Sequence, residues 1–297
     1  MNLKDLAIFQ KVAELKNISQ AADALNYVQS NVTARIKRLE EELNTQLFFR
    51  HNRGMILTPE GKKLITYAEE ITLMVDEMKK VMLDAEQPVG KLDIGTVETV
   101  IRLPFILSAY NKSYEHVDLS LSSGVTKDLI DKVLHHKLDG AFVTGNHKSV
   151  HPDLVPLKVF EEELVLVTDN SPTTLEQVMR MPLLVFHTGC GYRAKLRELL
   201  RDEQIIPKKI MELGTLETIL GSVYSGLGVT CLPRSIIQQH ADRGIIQYHT
   251  IPRKYSEINT IFIYRKEAYQ TASLQKFIET IEVSKHDQQR QQPLPFF

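Results

Sequence analysis

Between residues 18 and 43 two short runs of helical period stand so close together that the break between them has room for a turn and nothing more. A scaffold helix precedes them, because Leu3, Leu6, Phe9, Val12 and Ala13 form one apolar stripe at a period near 3.6. Ser19 is placed to cap a second helix, in which Ala21, Ala22, Ala24 and Leu25 permit close packing. Asn26 and Tyr27 interrupt it, and Ser30 is the expected cap of a third helix. Val32, Ile36, Leu39 and Leu43, spaced four, three and four apart, give that helix its buried face. Asn44 suits the left-handed residue of a helix stop. Apolar segments at 47–49 and 55–57 then flank a polar turn, which reads as strand, turn, strand. The pattern predicts a winged helix-turn-helix, with the helix-turn-helix at about 18–37 in a domain covering 1–58.

The exposed face of the third helix carries Gln29, Asn31, Thr33, Ala34, Arg35, Lys37 and Arg38, with no acid before Glu40. Gln and Asn can bond an adenine edge in two places, Thr offers a methyl and a hydroxyl, and Arg and Lys reach guanine or phosphate. Arg50 and Arg53, beside the strand turn, suit a phosphate backbone or a minor groove. With Ser19 and Ser30 at the helix starts, these residues are the candidate DNA contacts. Bulk charge does not nominate DNA, since residues 1–62 hold nine Lys or Arg against seven Asp or Glu. The order of helix, turn, helix and wing carries the reading, against the plainer one of a small bundle with solvated charges.

Ser19-Gln20-Ala21-Ala22 through Leu25, Gln29-Ser30, Ile36-Lys37-Arg38-Leu39-Glu40-Glu41-Glu42-Leu43, Leu47-Phe48-Phe49-Arg50, Leu57-Thr58 and Gly61 together resemble the LysR-type transcriptional regulators. The match runs without a gap from about residue 2 to 65, and weaker family features recur over most of the remainder. Asn31, Thr33, Ala34 and Asn44 depart from the family's usual residues. Ala34 removes a side chain that reaches DNA in relatives, so the identity of the bases read is open.

Pro59 to Glu86 reads as one long helix, with Pro59 at its first position after a Thr58 cap. Leu64, Tyr67, Ile71, Met74, Met78, Val81 and Ala85 recur every three or four residues, a stripe too long for the small preceding domain to cover. A linker helix over 59–88 that dimerises the chain is expected, and the resemblance implies the same. Two copies would then read a pseudo-palindrome, as a homodimer or as a homotetramer built from two dimers.

After Pro88-Val89-Gly90 the composition shifts to β-branched strands alternating with helices, an α/β pattern. Strands are expected at 91–97, 117–122, 140–143, 154–157, 164–167, 183–186, 210–213, 229–232 and 258–264. The expected helices are 103–110, 126–135, 193–203, 216–225 and 272–283. The resemblance implies a two-lobed, periplasmic-binding-protein-like effector domain over 89–285. Lobe I would comprise 89–160 and 267–285, and lobe II 161–266, with crossovers near 160–163 and 264–268. The Gln-rich segment 286–297 reads as a disordered tail.

In such a receptor a ligand sits at the carboxyl ends of strands and the amino ends of helices, where free amides favour an anion. Thr96, Thr99, Thr126 and Thr144 fall there in the first lobe, and Thr188, Gly189, Cys190 and Arg193 in the second. The resemblance implies effector contacts at Thr99 and near Thr126, Thr144 and Gly189. Hydroxyls and helix termini suggest a small anionic effector, although each Thr also reads as a simple cap.

The 43% apolar fraction suffices for conventional cores, and no run of about 18 apolar residues exists to span a membrane. Residues 1–13 alternate charged and apolar groups, unlike a secretory core, so a cytoplasmic protein is expected. Cys190 and Cys231 imply no disulfide framework. His135, His136, His147 and His151 lack partners at recognised metal spacing, and no triad, phosphate loop or carboxylate pair stands out. Neither cofactor, metal nor catalytic residue is expected. The favoured function is a promoter-binding regulator under small-molecule control, with double-stranded DNA, effector, self and RNA polymerase as partners and no membrane. Two alternatives stay open: a cytoplasmic solute-binding protein or enzyme whose amino-terminal bundle serves assembly, and a thiol-responsive regulator acting through Cys190.

Overall fold

Asn2 opens the first helix with a reciprocal cap: its side chain accepts from the Asp5 amide at 3.0 Å while the Asp5 carboxylate accepts from the Asn2 amide at 3.2 Å. The structure, a computed structural model, describes residues 1–51, 54–82, 87–145, 150–171, 174–266 and 269–288. Its contacts divide the chain into two units, Met1–Leu83 and Asp84–Phe297.

The first unit contains α1 (Leu3–Leu15), α2 (Ile18–Ala24), α3 (Gln29–Glu42), β1 (Phe48–His51), β2 (Gly54–Leu57) and α4 (Pro59–Met82). Leu6, Phe9, Val12, Ala21, Ala22, Val32, Ile36, Leu39, Leu47 and Phe48 form one buried cluster, so the apolar spacings translate directly into packing. Both predicted caps are displaced. Asn17, not Ser19, has the extended backbone before α2, and its side chain accepts from the Gln20 amide at 3.1 Å. Val28 occupies the cap position of α3 without a side-chain bond, which puts Ser30 inside the first turn. Asn26 and Asn44 take the left-handed conformation, at φ 56° and 48°.

β1 and β2 pair antiparallel, with Arg50 opposite Met55 and His51 opposite Gly54. Gly54, at φ +126°, lies where a β-carbon would meet the Lys16 carbonyl at 2.4 Å, and that carbonyl accepts from the Met55 amide at 2.9 Å. The hairpin is thereby tied to the end of α1. Glu40 fastens its other side, accepting from the Leu47 and Phe48 amides at 2.9 and 3.3 Å. Thr58 caps α4, accepting from the Gly61 amide at 2.9 Å. α4 turns Gly61 and Ala68 inward, and it leaves Tyr67, Met74, Met78 and Met82 more than half exposed.

The second unit runs β3 (Gly90–Thr96), α5 (Leu103–Ser113), β4 (Val117–Ser123), α6 (Thr126–Leu134), β5 (Gly140–Gly145), β6 (Leu154–Asp169), α7 (Leu175–Met179), β7 (Leu183–Val185) and α8 (Gly191–Asp202). It continues through β8 (Ile210–Glu212), α9 (Leu216–Tyr224), β9 (Thr230–Pro233), α10 (Arg234–Asp242), β10 (Ile246–Thr250), α11 (Arg253–Ser256), β11 (Glu257–Arg265) and α12 (Ala272–Gln288). Strand order in the main sheet is β10-β6-β11-β5-β3-β4, with β9 also on β6.

β6 replaces two predicted strands. Its first part, 154–163, pairs with β11, and its second part, 164–169, lies between β9 and β10. Lys158 and Glu161 to Glu163 interrupt the apolar pattern where one strand leaves the first lobe for the second, which made it read as two. The return crossing also differs from expectation. β11 pairs along its length with β5 and β6, so residues 257–265 belong to the first-lobe sheet, not to a second lobe extending to 266. The chain returns through residues 251–256, which include the short α11, rather than at 264–268. α7, α10, β10 and α11 were not foreseen. α12 reaches Gln288, and the remainder of the segment read as a tail lies outside the described residues.

Tyr110, Phe142, Phe262 and Phe277 pack ring against ring at the centre of the first lobe, with centroids 4.9 to 6.2 Å apart. The Tyr110 hydroxyl donates to the Ser273 carbonyl at 2.8 Å, and burial pushes its phenol up to about 12. The second lobe has apolar clusters on both faces of its sheet, one around Leu196 and Tyr255 and the other around Ile219 and Ile237. Since β3 runs parallel to both β4 and β5, the carboxyl ends of all three strands open on one side.

Candidate functional site

α3 presents two opposite faces. Val32, Ile36 and Leu39 are buried in the first unit, whereas Gln29, Ser30, Asn31, Lys37 and Arg38 are exposed. Ser19, also exposed, donates to the Gln29 side-chain oxygen at 3.1 Å, so the start of α2 orients the start of α3. Thr33 is half-buried, and its hydroxyl donates to the Gln29 carbonyl at 3.0 Å. Arg50 is exposed on β1, and Arg53 lies outside the described residues.

Arg35 departs from the role of a free DNA contact. Its Nη1 meets Asp5 Oδ1 at 2.7 Å and its Nε donates to Asn31 Oδ1 at 3.0 Å. Asp5 is only 2% exposed, so the guanidinium balances a buried carboxylate and steadies Asn31. Arg35→Ala is expected to cost about 1–3 kcal/mol, because it leaves Asp5 buried without its cation. Urea unfolding of the variant measures this; a loss within error would return Arg35 to the DNA-contacting set.

In the second unit a cleft of about 370 Å³ opens at the carboxyl ends of β3, β4 and β5. The residues after β7 and the start of α8 form its other wall. Thr99, Thr126, Thr144, Thr188 and Cys190 line it, together with Glu98, Ser123, Asp128, His187 and Tyr192. Two hydrogen-bonded pairs order its floor. Thr126 and Thr144 hydroxyls lie 2.9 Å apart, and the Thr144 amide donates to Thr126 Oγ1 at 3.2 Å. Across the lobes, Thr99 Oγ1 lies 2.7 Å from the Tyr192 hydroxyl. Both residues are buried, and burial pushes the Tyr192 phenol far above its ordinary value, which keeps its proton in place for the pair.

Three candidates lie elsewhere. Thr96 is buried and donates to the Val97 carbonyl at 2.9 Å, away from the cleft wall. Gly189 and Arg193 line a neighbouring hollow of about 330 Å³. Arg193 Nη1 donates to the Phe186 carbonyl at 3.0 Å and meets Glu212 Oε1 at 2.8 Å, so its charge is already balanced. Arg193 first, and His187 second, hold the Glu212 carboxyl below its ordinary value. Burial pushes the Cys190 thiol up, opposite to the shift of an activated thiolate, and Cys231 up to about 12.

Family models match nearly the whole chain. Residues 3–62 match the description "Bacterial regulatory helix-turn-helix protein, lysR family", and residues 85–284 match "LysR substrate binding domain". The chain belongs to the LysR family of transcriptional regulators. Among its LysR relatives, the HTH-type transcriptional regulator SoxR of Arthrobacter sp. (strain TE1826) is 56% identical over 95% of this chain and 96% of that protein. The HTH-type transcriptional regulator CzcR of Bacillus subtilis (strain 168) is 50% identical over 95% and 97%. The LysR fold is shared with the crystal structure of CbnR, at 22% identity and a TM-score of 0.69, covering 96% of this chain and 99% of that one.

For this LysR chain, the substrate-binding family model spans the cleft, and the helix-turn-helix model spans α1 to the start of α4. Of the cleft residues not chosen from the sequence, among them Glu98, Ser123, Asp128 and His187, Tyr192 makes the hydrogen bond across the lobes. Its position beside two glycines at a helix start was the available signal, but a Tyr there also reads as ordinary core. Among the described residues no helix is long and apolar enough to cross a membrane.

Proposed function

We propose that this LysR-family regulator binds promoter double-stranded DNA as a homodimer or homotetramer, and that a small carboxylate seated in the cleft alters that binding. The supporting observation is the two-faced α3, in which Gln29, Ser30, Asn31, Lys37 and Arg38 are all exposed on a helix held by a buried opposite face. α3 would enter the major groove while the β1–β2 wing, with Arg50 and Arg53, follows the backbone. Full-length CbnR, which shares this fold, has a crystal structure in complex with its target DNA. In this reading residues 1–58 read DNA, 59–88 join two copies, and the domain that follows senses the effector. RNA polymerase would be the further partner.

The carboxylate of the effector would meet the amides at the start of α6 and the hydroxyls of Thr99, Thr126 and Thr144. Regulation requires that the effector prefer one quaternary arrangement over another; binding alone shifts nothing.

Footprinting on the protein's own upstream DNA at two salt concentrations tests the DNA reading. A dyad-symmetric protected site that survives competitor is expected. Replacing both Lys37 and Arg38 by Ala should weaken binding about tenfold or more and reduce the salt slope by about 2. An unchanged slope with intact affinity would remove these residues from the phosphate contacts.

A further inference from the structure

The charges around the cleft do not match a purely anionic ligand. Glu98 and Asp128 line it, and among the described lining residues there is no Lys or Arg. The nearby guanidinium of Arg193 is engaged by Glu212 and the Phe186 carbonyl. Amides and hydroxyls can offset one carboxylate, but a ligand carrying only negative charge would also have to sit beside two acids.

Glu98 is held in place. Its Oε2 accepts from the Leu216 amide at the first turn of α9, at 2.8 Å. That bond spans the lobes and fixes a carboxylate at the cleft. The other oxygen is not engaged by any described residue. Asp128 stands in the first turn of α6, close in sequence to the Thr126 hydroxyl that pairs with Thr144. The cleft therefore combines an anion-accepting floor with acids at its wall, in a volume suited to a small metabolite.

We propose that the effector is a zwitterion of the amino-acid class, its carboxylate on the Thr126–Thr144 floor and its ammonium group facing Glu98 and Asp128. This rests on the effector reading above and adds the second charge.

Thermal shift followed by calorimetry on the full-length protein tests it. The probes are the twenty common amino acids, matched desamino acids such as propionate for alanine and glutarate for glutamate, and the matched amines. At least one amino acid is expected to stabilise the protein and to bind about tenfold or more tightly than its desamino partner. Glu98→Gln is expected to erase that preference. Asp128→Asn serves as a second variant that leaves the Glu98 bond to α9 in place, and each variant's unfolding midpoint without ligand reports its folding. A desamino acid that binds as well as its amino acid, unaffected by either substitution, would overturn the zwitterion while leaving an anionic effector standing. If no amino acid binds, the proposal also falls, and the footprint judges the DNA reading separately.

Discussion

Replacing Met74 and Met78 together by Glu is expected to turn the assembly into folded monomers that no longer hold their promoter. Tyr67, Ile71, Met74, Met78 and Met82 recur at spacings of four, three, four and four along α4, and Tyr67, Met74 and Met78 are 64%, 58% and 55% exposed. A narrow apolar seam of this period packs against a second helix, whereas the inward residues Gly61 and Ala68 already serve the unit's own core. Two charges placed in that seam would put four carboxylates into the shared apolar interface of a two-fold dimer. With one half of a dyad site read by each copy, as proposed above, separation should lower promoter affinity by roughly 10² to 10⁴-fold through loss of effective concentration. Sedimentation gives the mass and gel shift gives the affinity. A variant that stays dimeric would assign the seam to some other contact.

The second large effect belongs to Gly191. A β-carbon there would stand 2.4 Å from Thr144 Oγ1 and 3.2 Å from both the Thr144 β-carbon and its carbonyl oxygen. Gly191 begins α8 in one lobe and Thr144 lies on β5 in the other, so the absence of a side chain lets the two walls of the cleft touch. Gly191→Val is therefore expected to wedge the walls apart, separate Thr99 from Tyr192, and weaken effector binding about tenfold or more. The same opening should speed modification of Cys190 by a thiol reagent while Cys231, 5% exposed beneath it, stays slow. Labelling kinetics check the opening independently of the effector. An unchanged rate with unchanged affinity would mean that Thr144 rotates aside and the walls remain in contact.

Much of this was legible because apolar spacing is a local signal. The stripes of α1 and α3, the Thr58 cap and the exposed seam of α4 all follow from residues within a few turns of one another. The caps slipped because Asn17 and Ser19 are both good capping residues two positions apart, and only the backbone conformation distinguishes them. Arg35 looked free because its partner, Asp5, lies thirty residues away. Arg193 was misread for the same reason: Glu212 sits on a three-residue strand that reaches it only in the folded lobe. α10 escaped notice because Gln238, Gln239 and His240 dilute its apolar face to the single buried Ile237.

β6 is one uninterrupted strand, and this limits how the receptor can respond. Residues 154–163 hydrogen-bond within one sheet and 164–169 within the other, with no loop between them. One ladder ends where the others begin, so β6 joins the lobes through its extended backbone alone, and the cheap motion is torsional, a change of twist about the step from Glu163 to Leu164. An effector in this cleft would act as torque on a shaft, and the signal leaving the domain would be a small rotation rather than a wide opening.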